Sequence, residues 1–161
     1  MAGDPHRRLA VAGTDAVDRW ADAARAAGQA ADELHRVHRD LPAHWRAGVG
    51  LDNVDETLRR LVRRLEDAHD TYRAVAEALA IRDREVARAE QLISRTVAEA
   101  HQLGLVVTPD GEVVPPAAGA APMAVRALAR RLSAALAEAM AHADAARARA
   151  ADVLAALAAS R

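Results

Sequence analysis

Apolar and small side chains recur at Val54, Leu58, Leu61, Leu65, Ala68, Tyr72, Val75 and Leu79, and again at Val86, Ala89, Ile93, Ala100 and Leu103. The steps alternate between four and three, the spacing that lines one side of an α-helix. Between Asp52 and Gly104 there is no proline, and no glycine before the last residue. The pattern therefore predicts one uninterrupted helix, roughly 75 Å long at 1.5 Å per residue. A single apolar stripe of that length needs other helices laid along it.

Two further stripes supply them. Val17, Trp20, Ala24, Ala27, Ala31, Leu34, His38 and Leu41 repeat at helical spacing, with Thr14 as a candidate N-cap, Asp15 in the first turn, and Pro42 as the stop. Ahead of them, Asp4-Pro5 could start an extra turn reaching Val11. Gly28 lies inside this stripe at a cost of about 1 kcal/mol relative to Ala. Towards the end of the chain, Val125, Leu128, Leu132, Ala135, Ala139, Ala143, Ala146, Ala150, Val153 and Leu157 define a third helix from about Met123 to Ser160. Its middle is nearly all alanine, which permits close helix approach but buries little area per contact.

The connections are short. Ala43 to Leu51 carries Trp45, Gly48 and Gly50 and reads as a sharp reversal, after which Asp52 or Asn53 caps the long helix. Gly104 is placed to end it. Beyond Gly104 the period changes: Leu105-Val106-Val107, Thr108-Pro109-Asp110-Gly111 and Glu112-Val113-Val114 read as strand, tight turn and strand. So small a hairpin is marginal alone and should dock on the helix ends. The expected fold is all-α: an elongated antiparallel helical hairpin over residues 14–104, a β-hairpin and linker over 105–122, and a third long helix over 123–160, in one elongated domain of 161 residues. Arg82 interrupts the long stripe, so the second helix divides into two packing zones, the front half lying against the first helix and the rear half against the third.

Composition narrows the chemistry. Hydrophobic residues make up 52%, about a quarter of the chain is alanine, and aromatics are 2%. This alphabet forms helices well and walls ligand pockets poorly. With 22 basic and 23 acidic residues the net charge is −1, so bulk attraction to nucleic acid or anionic lipid is not expected. There is no cysteine, which excludes disulfides, thiolate catalysis and cysteine-based zinc sites. No apolar run has the length of a signal-peptide core or a membrane span, so a soluble chain is expected.

Three motifs are candidates for chemistry. His35 and His38 share a helix face near Asp32 and His44, but His38 lies on the apolar stripe and no second cluster completes a metal shell. Glu66-Asp67-Ala68-His69 has the Glu-x-x-His spacing of di-iron bundles. Such sites take two copies plus two more inward glutamates, and this chain has one copy, flanking the stripe. Arg59, Arg60, Arg63 and Arg64 lie within a turn or two of Asp55, Glu56, Glu66 and Asp67 and read as a solvated, ion-paired face. There is no Gly-rich phosphate loop and no Gly-x-Ser-x-Gly elbow. Catalytic residues, metal ligands and cofactors are accordingly not expected.

A helix, a turn holding Trp45 with nearby Gly48, and a second long helix resemble the Trp-x-Gly (WXG) superfamily of type VII secretion substrates. The likeness covers about residues 14 to 116. It continues in AEAHQLGLVVTPDGEVVPP, which is similar to the segment following the helical hairpin in longer actinobacterial members. Two features depart from the family. Ala47 stands where its Gly should be, and its Tyr-x-x-x-Asp/Glu export signal is absent, since Tyr72 is followed four residues on by Ala76. The resemblance implies a non-enzymatic protein that pairs with another helical hairpin, as a hetero- or homodimer. Trp45, Gly48 and Gly50 would form the turn, and Leu58, Leu61, Leu65, Tyr72, Val75 and Leu79 the partner seam. It implies secretion without a cleaved signal peptide, with the signal for the secretion ATPase supplied by the partner, or else a divergent cytoplasmic protein. A ferritin-like bundle using Glu66 and His69, and a coiled-coil adaptor unconnected to secretion, are the competing readings.

Overall fold

The computed structural model describes residues 5–44, 51–116 and 121–159, with the side chains of 15–41, 52–116 and 121–159. The elements run α1 (Pro5–His44), α2 (Leu51–Gln102), β1 (Val106–Val107), β2 (Val113–Val114) and α3 (Met123–Ala159). The chain is all-α with a small antiparallel β-hairpin between its second and third helices, as the spacing predicts.

Three helix ends differ from expectation. α1 starts at Pro5, not at Thr14. Pro5 suits a first helical position, and Gly13, the one weak helix former before Thr14, does not break the helix. At its other end α1 runs through Pro42 to His44. A proline in the final turn removes one intrahelical hydrogen bond, which is too little to stop a helix held along most of its length. α2 begins at Leu51, so Asp52 sits inside its first turn.

Contacts gather the described residues into two compact units, one holding those up to Ala80 together with those from Val153 onward, the other Ile81–Asp152. Within α2 the division falls one residue before Ile81 and two before Arg82. In the second unit α2 ends in a Schellman motif. The Leu105 amide donates to the Ala100 carbonyl at 2.9 Å and the Gly104 amide to His101 at 3.0 Å, with Gly104 at φ +70°. The chain turns directly into β1, which pairs with β2 in the register Val106 to Val114 and Val107 to Val113. The turn between them closes with the Gly111 amide on the Thr108 carbonyl at 2.9 Å and Gly111 at φ +82°.

The hairpin docks. Leu105 and Val113 enter a core with Ala100, Ala129, Leu132 and Leu136, flanked by Ile93, Val97 and Leu128. The Val113 amide donates to Ser133 Oγ at 2.8 Å, tying β2 to α3. Further along, the α2–α3 contact is made of buried Ala89, Ala139, Ala143, Ala146 and Ala150, and Arg149 pairs with Glu85 at 2.5 Å. Thr96, a buried polar residue of this unit, donates to its own helix at Leu92.

Candidate functional site

In the first unit α1 and the front of α2 form an antiparallel pair whose cross-links fix the register. His38 contacts Asp55, His35 Nε2 lies 3.1 Å from Glu66 Oε1, and His69 Nδ1 lies 2.8 Å from the Ala24 carbonyl. A carbonyl only accepts, so His69 Nδ1 is the donor. The rings of Trp20 and Tyr72 pack at a 47° tilt with centroids 5.4 Å apart. Between the helices Ala24, Ala27, Ala31 and Val62 are buried.

The residues of α2 in hydrogen-bond or ring contact with α1 are therefore Asp55, Glu66, His69 and Tyr72, with Val62 buried on the same side. Of the large apolar stripe Tyr72 meets α1, while Leu58, Leu61 and Leu65 are not among these contacts. At 3.6 residues per turn the line of Leu58, Leu61 and Leu65 lies roughly a quarter turn away. The same construction on α1 sets Leu34, Val37 and Leu41 about a quarter turn from the line of Ala24, Ala31 and His38. Because the helices run antiparallel, both quarter turns lead to the same side. The hairpin thus has a flank on which Leu34, Leu41, Leu58 and Leu65 are half-buried, while Val37 is 51% and Leu61 41% exposed.

Further along the stripe the cover is better. Val75 and Leu79 are buried, and Leu154, Leu157 and Ala158 from the end of α3 line an open cleft of about 450 Å³ with them, Trp20 and Thr71. Of the expected seam, Val75 and Leu79 belong to the chain's own core, Tyr72 packs against Trp20, and Leu58, Leu61 and Leu65 lie on the open flank. The expected turn residues Trp45, Gly48 and Gly50 lie outside the described residues.

The polar motifs act as ties between α1 and α2. A cleft of about 590 Å³ is lined by His35, His38, Arg39, Leu41, Asp52, Asp55 and Arg59. Its central carboxylate, Asp55, takes His38 on one oxygen and Arg59 on the other, the latter at 2.7 Å. Glu66 and His69 both turn to α1, one to a histidine and the other to a backbone carbonyl. Among the described residues no three His, Asp or Glu side chains converge as a metal site would require. The arginine block Arg59, Arg60, Arg63 and Arg64 is exposed, and Arg59 pairs with Asp55 one turn before it.

Sequence reasoning missed Val62, which is buried at 4% exposure beside the exposed Leu61. The signal was available in the line Val62, Glu66, His69, but two polar members disguised it as a solvated face. No described helix is long and apolar enough to cross a membrane. Compared with known proteins, the chain matches no family model, no curated protein and no solved structure.

Proposed function

We propose that this chain is a non-enzymatic helical interaction protein that pairs, through the open flank of its α1–α2 hairpin, with another helical hairpin. The observation that carries this reading is the flank itself. Single exposed apolar residues are ordinary on a protein surface, whereas a strip of Leu34, Val37, Leu41, Leu58, Leu61 and Leu65 is the kind of patch that marks an interface. The His–carboxylate ties lie between the helices and leave that strip free for a partner. The activity is packing, with no covalent step.

In keeping with the Trp-x-Gly resemblance, the paired protein would leave the cell without a cleaved signal peptide. The export signal would be carried in trans, because this chain lacks the Tyr-x-x-x-Asp/Glu motif. The test is co-expression with any small helical protein encoded beside it, followed by measurement of complex mass, with Leu61→Asp as the interface variant. Pairing that Leu61→Asp abolishes, at unchanged helicity, supports the reading. A protein that neither self-associates at micromolar concentration nor forms a complex with those neighbours overturns it. Recovery of the intact chain from culture supernatant, dependent on the secretion ATPase, tests export separately.

A further inference from the structure

We propose that Met140 is a redox-sensitive latch for the β-hairpin. Oxidation of its thioether by a hydroperoxide loosens the hairpin tip from α3, and reduction of the sulfoxide restores the contact.

The hairpin is held along α3 at two levels. On the strand, the Val113 amide donates to Ser133 Oγ at 2.8 Å. At the tip, Met140 Sδ faces Gly111, where a Cβ would stand 3.4 Å from the sulfur. Ser133 and Met140 lie about two helical turns apart, so both side chains leave the same side of α3. The two attachments differ in kind. The first is a hydrogen bond beside the buried Val113. The second is the apolar surface of a sulfur against a glycine, on a methionine that is 47% exposed.

The sulfur is therefore both reachable and part of the docking contact. Its lone pair attacks one oxygen of the peroxide, and the O–O bond breaks as the S–O bond forms. With hydrogen peroxide the other oxygen leaves as water, the sulfur losing two electrons and the peroxide gaining them. The product carries a strong acceptor oxygen where an apolar contact stood. Gly111 has no amide to offer it, because that N–H already donates to the Thr108 carbonyl at 2.9 Å. Water satisfies the oxygen instead and separates the tip from α3. The hairpin then stays attached through Ser133 and through buried Leu105 and Val113. Met123 is the internal comparison. It is 83% exposed at the start of α3, roughly 25 Å before Met140 on the same helix.

The test treats the full chain with hydrogen peroxide and follows peptide mass and amide hydrogen exchange, in the wild type, Met123→Leu, Met140→Leu and Met140→Gln. In the wild type and Met123→Leu, one added oxygen on Met140 is expected to speed exchange of the Gly111 and Val113 amides about fivefold, with the α3 amides of 129–136 unchanged. Methionine sulfoxide reductases are expected to reverse the effect. Met140→Leu keeps an apolar side chain and should not respond to peroxide. Met140→Gln, polar and of similar length, should show the faster exchange with no peroxide added. Sulfoxide at Met140 with unchanged hairpin exchange overturns the proposal. So does an acceleration that persists in Met140→Leu, or one that spreads equally to the amides of 129–136.

Discussion

At the scale of single residues, the helix-breaking Gly28 has a structural reason. The His69 ring reaches across to the Ala24 carbonyl of α1, and a Cβ at position 28 would come within 3.0 Å of His69 Nδ1 and 3.4 Å of its Cε1. Glycine is the cost of admitting a ring whose hydrogen bond prevents it from moving aside. Gly28→Ala alone is therefore expected to destabilise the chain by about 1 kcal/mol, because the clash and the weakened bond outweigh the propensity gain. In a His69→Ala background the same change is expected to stabilise by up to about 1 kcal/mol, since only the propensity term remains. Thermal unfolding of the four proteins in this cycle gives the answer. A Gly28→Ala effect of the same sign in both backgrounds would show that His69 is not what the glycine accommodates. The periodicity of the chain exposes the glycine as an anomaly. The ring that explains it belongs to another helix, beyond the reach of any local pattern. The pair Leu61 and Val62 teaches the same lesson. Helical spacing identifies an apolar stripe through Leu58, Leu61 and Leu65, but not where the neighbouring helix lies. Here α1 sits to one side, on the line of Val62 and His69.

At the scale of elements, the three long helices were legible because their stripes persist over many turns, and the end of α2 was legible because Gly104 is placed for a left-handed residue. The ends of α3 fall where its stripe sets them, but both ends of α1 and the start of α2 do not. Thr14 and Pro42 are common boundary residues, yet α1 runs through both, since a local signal worth about 1 to 3 kcal/mol yields to packing along the rest of the helix. The β-hairpin was legible from Thr108-Pro109-Asp110-Gly111, whereas its tie to α3 through Ser133 was not, because a lone serine in an alanine-rich helix carries no pattern. Gly104 offers a clean measurement. Its φ is +70° and a Cβ there would meet nothing within 4 Å, so the whole cost of a substitution is conformational. Gly104→Ala is expected to lose about 1 to 2 kcal/mol, and Gly104→Asn less, as asparagine tolerates the left-handed region better. Denaturant unfolding measures the order, and equal losses for the two variants would mean that something other than backbone conformation sets the cost. At Gly111 the φ of +82° brings the same strain, and a Cβ there would also lie 3.4 Å from Met140 Sδ, which adds a packing term.

At the scale of the whole molecule, the two units are built from different cores. The α1–α2 hairpin of the first is closed by Ala24, Ala27, Ala31 and Val62, with Val75 and Leu79 further along. The second has Leu105, Val113, Leu132 and Leu136 in one cluster. A leucine carries three more carbons than an alanine, about 2.4 kcal/mol of burial at roughly 0.8 kcal/mol per carbon. The alanine-closed hairpin is therefore the less protected against local opening. In dilute protein, amides of α1 between 24 and 38 and of α2 between 55 and 68 are expected to exchange faster than those of α2 between 93 and 100 and of α3 between 129 and 139. Pairing through the open flank alters that order in one place only. Binding of a partner hairpin stabilises the state that pairs, so protection should rise across 29–41 and 54–68 while the Leu105–Leu136 core is unchanged. Hydrogen exchange with and without the partner reads both effects in one experiment. A rise spread evenly over both units would argue against the flank as the contact surface. A rise confined to the second unit would move the interface to another part of the chain, where Ile81, Leu92, Leu103, Val106, Met123 and Met140 are exposed apolar residues.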